Sequence, residues 1–292
     1  MHLETLKVFC DVVETRSFSV AASQNYVTQS AVSQQIRMLE EKYGKQLLER
    51  TRNNVQLTPA GEILYQVSKE IVQRYGELEA RLQAVAKVVA GTVRVATVHT
   101  IGLYELSAQL KRFLKAYPQV QLQLEYSRSN KIYDDALKGG IDIGIVAYPS
   151  RRPGITLIPF REDRLVLVCS PQHPLAKHKQ VSIKKLDGEA LVGFDRDIPT
   201  RKETDRVFRR HGIEARYVME LDNVEIMKRV VEIGIGIAIL PEHAVRPEVR
   251  GGTLAAVQVA DEVFLRPLGI IHRSGKHFSP AATKFLECLH DE

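Results

Sequence analysis

Two short helical patterns within residues 17–43, separated by about four residues, constrain this chain more than any other feature. The second pattern has two unlike faces. Val32, Ile36 and Leu39 recur at helical spacing as an apolar stripe. Thr28 precedes this helix, where its hydroxyl can accept a backbone N–H. Another face carries polar side chains, none of them acidic: Gln29, Ser30, Ser33, Gln34 and Arg37.

That polar face has the chemistry needed to read base edges in a DNA major groove. Glutamine pairs with adenine through two hydrogen bonds, arginine does the same with guanine, and serine serves either base. On an isolated amphipathic helix such a face is usually only solvated. Here the preceding pattern places Phe18, Ala21 and Ala22 on its inner side, and the small alanines allow two helices to cross closely. The pair therefore predicts a helix-turn-helix that binds double-stranded DNA.

A basic hairpin is predicted to follow the two helices. Residues 45–50 are expected to add a short helical turn whose two leucines point inward. Residues 50–57 then indicate a hairpin, or wing, with asparagines at its turn. Arg50 and Arg52 are placed to contact phosphates or a minor groove, which positions a protein more than it specifies sequence. The alternative is a hairpin whose arginines are only solvated.

A long helix is predicted after the hairpin, with Thr58 as its cap and Pro59 at its first position. Its apolar residues follow one another at steps of three and four: Leu64, Val67, Ile71, Tyr75, Leu78, Leu82, Val85 and Val89. A narrow stripe of this length favours pairing with a second copy of the chain, and therefore a homodimer. The alternative is that the helix packs on its own C-terminal domain.

Residues 3–62 resemble the winged helix-turn-helix of the LysR-type transcriptional regulators. Four ordered motifs carry the resemblance: FxxVxxxxSFxxAA at 9–22, QSAVSQQIRMLE at 29–40, LLER at 47–50 and LTPAG at 57–61. The family usually has leucine near the end of the first motif helix, where this chain has Asn25 and Tyr26. Tyr26 is expected to supply the missing core contact.

The resemblance implies how the DNA contacts are divided. Gln29, Ser33, Gln34 and Arg37 are expected to face bases. Phosphate contacts are expected from Thr28, Ser30, Arg50 and Arg52. Gln34 stands where many family members carry arginine, so the base preference of relatives does not transfer to this chain.

The remainder of the chain alternates strand and helix patterns, which predicts a mostly parallel sheet covered by helices. Strands are predicted at 92–97, 120–126, 141–147, 165–169, 190–194, 217–221, 234–240 and 268–273, with a short segment at 181–186. Helices are predicted at 102–116, 131–138, 202–211, 224–233 and 280–290.

This pattern is similar to the two-lobed effector-binding domain of the same family, itself similar to periplasmic solute-binding proteins. The resemblance implies a winged helix-turn-helix at 1–58, a linker helix at 59–90 and an effector-binding domain at 91–292. Within that last domain, lobe I covers about 92–161 and 266–292, and lobe II about 162–265.

Three groups of polar residues follow predicted strands, at the edge where α/β sheets bind ligands. They are Thr97, His99 and Thr100; Ser129 and Asn130, next to Ser127; and Pro199, Thr200 and Arg201. Family members commonly use the turns that match Thr100, Ser129 and Thr200. Hydroxyls, an arginine and helix dipoles suit a small anion, such as a carboxylate or inorganic oxyanion. The alternative is that the same hydroxyls only cap helices.

Catalytic patterns are absent from the sequence: there is no GxSxG, no GxGxxG after a strand, no P-loop and no HExxH. No enzyme activity and no cofactor are therefore expected.

His173 and His178 favour a surface turn over a metal site, since no cysteine or carboxylate lies between them. Asp142 resembles a common aspartate of the family and is expected to be structural. Gly234 and Gly236 are expected to allow close backbone packing.

Composition sets few further limits. The formal net charge is +6, but residues 1–91 contain eleven Lys or Arg and ten Asp or Glu, a net of +1, so overall basicity does not locate the DNA site. Three widely spaced cysteines do not form a disulfide framework. The charged N-terminal residues do not suit a secretory peptide, and no run approaches the ~18 apolar residues of a membrane helix. We expect a cytoplasmic protein without a membrane partner.

Two hypotheses follow. The first is a homodimeric or homotetrameric LysR-type regulator that binds an interrupted palindrome and converts effector binding into altered spacing or bending of DNA. RNA polymerase is a further candidate partner. The second is a solute-binding or enzymatic α/β domain whose N-terminal helices serve only oligomerisation. Specific duplex binding by residues 1–90 would discriminate between them.

Overall fold

The computed structural model describes residues 2–51, 54–85 and 89–290 and divides the chain into two compact units, Met1–Lys87 and Val88–Glu292. Each unit has its own hydrophobic core. Among the described helices, none is long and apolar enough to cross a membrane.

The first unit is a helical bundle with a small hairpin. Its elements are α1 (Leu3–Thr15), α2 (Phe18–Gln24), α3 (Gln29–Tyr43), β1 (Leu48–Thr51), β2 (Asn54–Leu57) and α4 (Pro59–Val85). The predicted helix-turn-helix is confirmed as α2 and α3. The predicted cap is confirmed as well, since Thr28 Oγ1 accepts the Ala31 N–H at 3.2 Å.

The core of this unit contains the apolar stripe that the sequence predicts for α3 and the small alanines of α2, packed against α1. Phe9, Val12, Ala21, Val32 and Ile36 have no exposed surface, and they bring together α1, α2 and α3. Burying one side chain of the size of isoleucine or phenylalanine contributes about 2 kcal/mol. This packing turns one face of α3 inward and leaves the polar face outside.

The predicted helical turn at 45–50 is wrong. Leu47 and Leu48 are buried as expected, each with 1% of their surface exposed, but strand β1 begins at Leu48. Glu40 Oε1 accepts the N–H groups of both leucines, at 2.9 and 3.3 Å. Because this carboxylate satisfies the two donors, the chain leaves α3 as an extended segment rather than as another turn of helix.

The expected core contact of Tyr26 is also wrong. Tyr26 is 96% exposed and adopts φ 55°, in the left-handed region. A polar contact takes its place at the end of α2. Asn25 Nδ2 donates to Asp11 Oδ2 at 2.6 Å and to the Ala21 carbonyl at 2.9 Å, which ties α2 to α1.

The hairpin expected of a wing forms, since β1 and β2 pair antiparallel with Leu48 opposite Leu57. Thr58 then caps α4, because its Oγ1 accepts the Gly61 N–H at 3.0 Å. At Gly61 the start of α4 passes so close to the preceding chain that a Cβ would lie 2.0 Å from the Leu47 carbonyl oxygen. The glycine of the LTPAG motif therefore permits this close approach.

Much of the apolar stripe of α4 is exposed in the single chain. Val67, Ile71, Tyr75 and Leu78 each expose between 41 and 51% of their surface. Leu64 packs on the core of the first unit. The side chains of Leu82 and Val85 lie outside the described part. Val89 does not belong to the stripe, because it packs on the core of the second unit.

The second unit is an α/β structure. Its first part comprises β3 (Gly91–Thr97), a π-helical segment (Ile101–Glu105), α5 (Ser107–Ala116), β4 (Val120–Tyr126), α6 (Ser129–Leu137), β5 (Ile143–Ala147) and β6 (Ile155–Cys169). Its middle comprises a 3-10 turn (Pro174–Lys177), β7 (Gln180–Val181), a second 3-10 turn (Ile183–Leu186), β8 (Ala190–Phe194), α7 (Pro199–His211), β9 (Arg216–Leu221) and α8 (Val224–Glu232). Its last part comprises β10 (Ala238–Pro241), α9 (Glu242–Gly251), β11 (Ala255–Val259), β12 (Leu265–Arg273) and α10 (Pro280–His290).

The sheet is mixed rather than mostly parallel. Its order is β4-β3-β5-β12-β6-β11-β7, and β10 also pairs with β6. Strands β3, β4 and β5 are parallel, whereas β12 runs antiparallel to both β5 and β6. The N-terminal part of β6 pairs with β12, and its last residues pair with β10 and β11. One 15-residue strand therefore belongs to both lobes.

Several elements differ from the sequence prediction. The predicted strand at 165–169 is only the end of β6, and the helix predicted at 102–116 is divided into a π-helical segment and α5. Helix α9 and strand β11 were not predicted. The strand predicted at 234–240 begins only at Ala238. Gly236 permits close packing, as expected, because a Cβ there would lie 2.4 Å from the Ala190 carbonyl oxygen.

Candidate DNA-binding face and effector cavity

The outer face of α3 presents the side chains that the sequence singled out. Gln29, Ser30, Gln34 and Arg37 are exposed, and Ser33 is half-buried. The neighbouring acidic residue Glu40 turns away from this face to bind the start of β1. The face is therefore polar and basic, as contact with DNA requires.

The N-terminus of α3 combines two hydroxyl groups with the positive end of a helix. Thr28 Oγ1 accepts the Ala31 N–H, and it also lies 2.9 Å from Ser30 Oγ. Thr28 therefore has a structural role in capping, and the pair lies where a phosphate oxygen is favoured. For the wing, Arg52 lies outside the described residues, as does the side chain of Arg50.

Two exposed residues extend this face beyond the sequence prediction. Met38 is 49% exposed and lies one helical turn after Gln34, although the apolar stripe of the helix faces the core. An apolar side chain there can contact a thymine methyl group. Tyr26, just before α3, presents a phenol to solvent. The signal for Met38 was available in the sequence, as an apolar residue off the stripe.

A cavity of about 360 Å³ lies between the two lobes of the second unit. Six of the eight residues predicted to bind an effector line it: His99, Thr100, Ser129, Asn130, Pro199 and Thr200. The His99 and Tyr126 rings stack in parallel at its edge, with centroids 4.8 Å apart. The structure thus brings together residues from loops that are far apart in the chain.

Thr97 and Arg201, the other two predicted effector residues, do not line the cavity. Thr97 is fully buried and its Oγ1 donates to the Ile145 carbonyl at 3.0 Å, so it joins two strands. Arg201 is 6% exposed, donates to the Phe194 carbonyl at 2.8 Å and lies over the Tyr217 ring. Its guanidinium is bonded within lobe II to the Asp205 carboxylate and the Phe194 carbonyl, so the structure does not bring Arg201 to the cavity with the other predicted residues.

Arg266, which the sequence analysis did not identify, supplies a cation at the cavity. It lies on β12, is 2% exposed, and donates through Nη1 to Thr100 Oγ1 at 2.9 Å and through Nη2 to Asp163. Its buried Nε has no hydrogen-bond partner among the residues that the structure describes. Burial raises the pKa of Asp163, and the nearby carboxylate of Glu105 adds to this effect while Arg266 opposes it.

Two helices begin at the cavity without a side-chain cap. Helix α6 starts at Ser129 and α7 at Pro199, and neither has a side-chain cap hydrogen bond within the described chain. The alternative that Ser129 and Thr200 serve as caps is therefore not realised. Backbone N–H groups of the first turn have no partner within their own helix. The positive ends of two helices, together with these groups, favour an anion in the space between them.

An arginine of lobe I spans the rim of the cavity. Arg128 donates to Asp197 and Asp195, each at 2.8 Å, and to Asp222 at 3.1 Å, and all three carboxylates belong to lobe II. The hydrogen bond that Arg128 donates to Asp222 raises the pKa of Arg128 most, and those to Asp197 and Asp195 raise it further. The cluster is about half exposed, so each contact is worth little on its own. Together they connect the two lobes beside the cavity.

Two residues considered for chemistry have structural roles. Asp142 accepts hydrogen bonds from the Arg94 N–H and the Lys276 ammonium, both at 2.8 Å. It therefore joins β3, the start of β5 and the segment after β12 within lobe I. His173 Nδ1 accepts the Leu175 N–H at 3.3 Å and caps a 3-10 turn. The sequence predicted both roles, a structural aspartate and a surface turn.

Comparison with known proteins agrees with this division into a DNA-binding and an effector-binding unit. The family model described as the LysR substrate binding domain matches residues 86–292, and the model of the bacterial regulatory helix-turn-helix protein, lysR family, matches residues 3–62. The HTH-type transcriptional activator CmpR of Synechocystis sp. is 30% identical over 292 residues, covering 99% of this chain and 96% of CmpR.

Solved structures share the fold. Full-length CbnR in complex with its target DNA superposes with a TM-score of 0.71 at 24% identity, covering 99% of each chain. The regulatory domain of Synechocystis CcmR in complex with 2-PG gives a TM-score of 0.64 at 25% identity, covering 68% of this chain and 96% of that domain. With a winged helix-turn-helix and a two-lobed effector-binding unit, the chain belongs to the LysR family of transcriptional regulators.

Proposed function

We propose that this regulator responds to a small anion bound between the two lobes, and that α3 reads the operator. The observation that carries the first part is the pair of uncapped helix N-termini at one cavity. Arg266 adds a buried cation whose Nε–H lacks a partner among the described residues. The bond from Arg266 uses a lone pair of the Thr100 hydroxyl and leaves its hydrogen to donate to a ligand.

The cavity's size and its rim narrow the class of effector. A volume of about 360 Å³ lies near the lower end of the range for ligand pockets, so the effector is small. Three aspartates surround Arg128 at the rim and disfavour a second negative group at that end. We therefore propose a ligand with one compact anionic group. The complex of CcmR with 2-PG supports a small-molecule ligand in this type of domain.

Thermal unfolding of the full-length protein with phosphate, sulfate and small carboxylates tests the anion site. Ser129→Ala removes a hydroxyl at the start of α6 and should weaken the best anion about tenfold, the cost of one hydrogen bond to a charged group. Ser107→Ala, at the start of α5 and away from the cavity, is the control. Equal stabilisation of both variants, or none by any anion, would refute the proposal.

For DNA, we propose that Gln29, Ser33, Gln34 and Arg37 face bases and that phosphates are bound by Thr28, Ser30, Arg50 and Arg52. Capture of genomic fragments should enrich a few palindromic sites, and Gln29→Ala with Arg37→Ala should abolish this enrichment. Removing one side chain that pairs with a base reduces discrimination by about 1–3 kcal/mol. Affinity should also fall steeply with salt. Unchanged site preference in the double variant would assign specificity to other residues.

The exposed stripe of α4 supports a homodimer, in which two copies of α3 bind two half-sites of an interrupted palindrome. A tetramer and a contact with RNA polymerase are further parts of this proposal. Since the relatives are named as transcriptional regulators, we propose no enzymatic activity. Because its proposed partner is DNA, we propose that the protein works in the cytoplasm.

A further inference from the structure

We propose a binding site for a divalent transition-metal ion at the junction of the two lobes, formed by Glu105, Asp163 and His243. Each residue offers one ligand atom, and these atoms lie within 4.8 Å of one another. Glu105 ends the π-helical segment of lobe I, Asp163 lies on the crossing strand β6, and His243 lies on α9 of lobe II. The site is separate from the proposed DNA contacts and does not rest on the anion proposal.

The burial of the two carboxylates is the first argument. Glu105 is 7% and Asp163 3% exposed, and buried carboxylates require hydrogen bonds or cations. Arg266 donates to Asp163 Oδ2, but Asp163 Oδ1 is buried without a partner among the described residues. The guanidinium therefore serves only one oxygen of Asp163, and the other oxygen remains as an acceptor without a partner among the described residues.

His243 adds a nitrogen ligand to the two carboxylates of the cluster. His243 Nδ1 lies 2.5 Å from Glu105 Oε1, and the His243 side chain is 40% exposed, so one side of the site is open to solvent. An imidazole nitrogen with two carboxylate oxygens is a donor set that Zn²⁺, Mn²⁺, Fe²⁺ and Ni²⁺ accept. Water can supply a fourth ligand from the open side, as in three-residue zinc sites.

The geometry needs only small side-chain movements. Zinc lies about 2.0–2.2 Å from nitrogen and oxygen ligands, so ligand atoms in a tetrahedral site are separated by about 3.3 Å. Glu105 and His243 would move apart slightly and Asp163 would approach them. The hydrogen between Nδ1 and Oε1 would be released to solvent, and the neutral ring would carry its one hydrogen on Nε2. Arg266 would remain on the other oxygen of Asp163, an arrangement that orients metal-binding carboxylates.

A bound metal would connect the π-helical segment of lobe I to α9 of lobe II. Without metal, the same residues form a hydrogen-bonded Glu105–His243 pair that leaves Asp163 Oδ1 without a partner among the described residues. The metal would therefore favour the arrangement of lobes seen here over any arrangement that separates these two segments.

The test uses full-length, tag-free protein stripped with a chelator. Binding of Zn²⁺, Mn²⁺, Ni²⁺ and Mg²⁺ is measured by equilibrium dialysis with elemental analysis and by thermal unfolding. We expect one Zn²⁺, Mn²⁺ or Ni²⁺ per chain, a raised unfolding midpoint, and little response to Mg²⁺. His243→Ala should weaken this binding at least about tenfold, whereas His178→Ala, an exposed histidine outside the cluster, should leave it unchanged.

Glu105→Gln provides the same readout if His243→Ala does not fold. No stoichiometric binding of any of these metals would overturn the proposal. Binding that is equal in wild type, His243→Ala and Glu105→Gln would also overturn it, because the metal would then be held elsewhere.

Discussion

Glu40 joins the recognition helix to the wing, and replacing it with alanine tests how the DNA-binding unit is held together. Its Oε1 accepts the N–H groups of Leu47 and Leu48, at 2.9 and 3.3 Å. Both leucines are only 1% exposed, so water does not readily replace the carboxylate. In Glu40→Ala both donors lose this acceptor.

The size of the effect follows from these two hydrogen bonds. A buried donor left without an acceptor costs about 1–3 kcal/mol. With one bond of ordinary length and one longer, Glu40→Ala should lower the free energy of unfolding by about 3 kcal/mol. In a unit of this size 1 kcal/mol moves the unfolding midpoint by about 4–8 °C, which gives a decrease of about 12–24 °C. Glu40→Gln keeps an acceptor oxygen without its charge and should lower the free energy of unfolding by about 1 kcal/mol.

The assay must separate the two units of the chain, because one midpoint for a two-unit protein is not well defined. Hydrogen–deuterium exchange of the peptide containing Leu47 and Leu48 reports these hydrogen bonds locally, and circular dichroism reports the unfolding of the helices. Glu41→Ala, at the exposed next position, is the matched control and should change little. If Glu40→Ala exchanges no faster than Glu41→Ala, the carboxylate does not hold the wing.

Two further predictions concern the second unit and the dimer. Asp142 is buried, which alone raises its pKa, but Arg94 and Lys276 lower the pKa below its usual 3.8. Asp142→Asn should cost about 3 kcal/mol at pH 7. This difference should shrink as pH falls below about 4, because the carboxylate of the unfolded chain binds a proton there, whereas the native carboxylate, with its lowered pKa, binds one only at lower pH. A difference that stays constant from pH 7 to 3 in chemical denaturation would contradict the pairing. Ile71→Glu places a charge in the exposed stripe of α4 and should dissociate the dimer at micromolar concentration, as measured by analytical ultracentrifugation. Gln66→Glu is the control and should not dissociate it. If the mass of the Ile71→Glu variant is unchanged, the dimer interface lies elsewhere.

The candidate sites show where sequence reasoning succeeds and where it fails. Hydroxyls that follow strands could be placed at a common cavity, because the carboxyl ends of parallel strands share one edge. The cation could not be placed in this way. Arg201 looked suitable by its position at the start of α7, yet Phe194, Asp205 and Tyr217 already surround its guanidinium. Arg266 supplies the cation instead, from a strand 166 positions away from Thr100.

The sequence by itself determined the elements whose ends carry local signals. Helix α3 begins after Thr28 and ends before Gly44, which adopts the left-handed conformation. The helix predicted at 280–290 has the bounds of α10, Pro280–His290. Helix caps, terminal glycines and helical periodicity depend on residues only a few positions apart, so they can be recognised in the sequence without knowledge of the tertiary structure.

Only the tertiary structure decided the features that depend on distant partners. Leu48 starts a strand because Glu40 accepts its N–H from another element, and Tyr26 remains in solvent because Asn25 and Asp11 already join the two helices. The long strand β6 pairs with β12 in one lobe and with β10 and β11 in the other, a role that its own residues do not reveal. In each case, the conformation depends on a hydrogen bond or strand pairing with a residue distant in sequence, and such a partner comes within reach only when the chain folds.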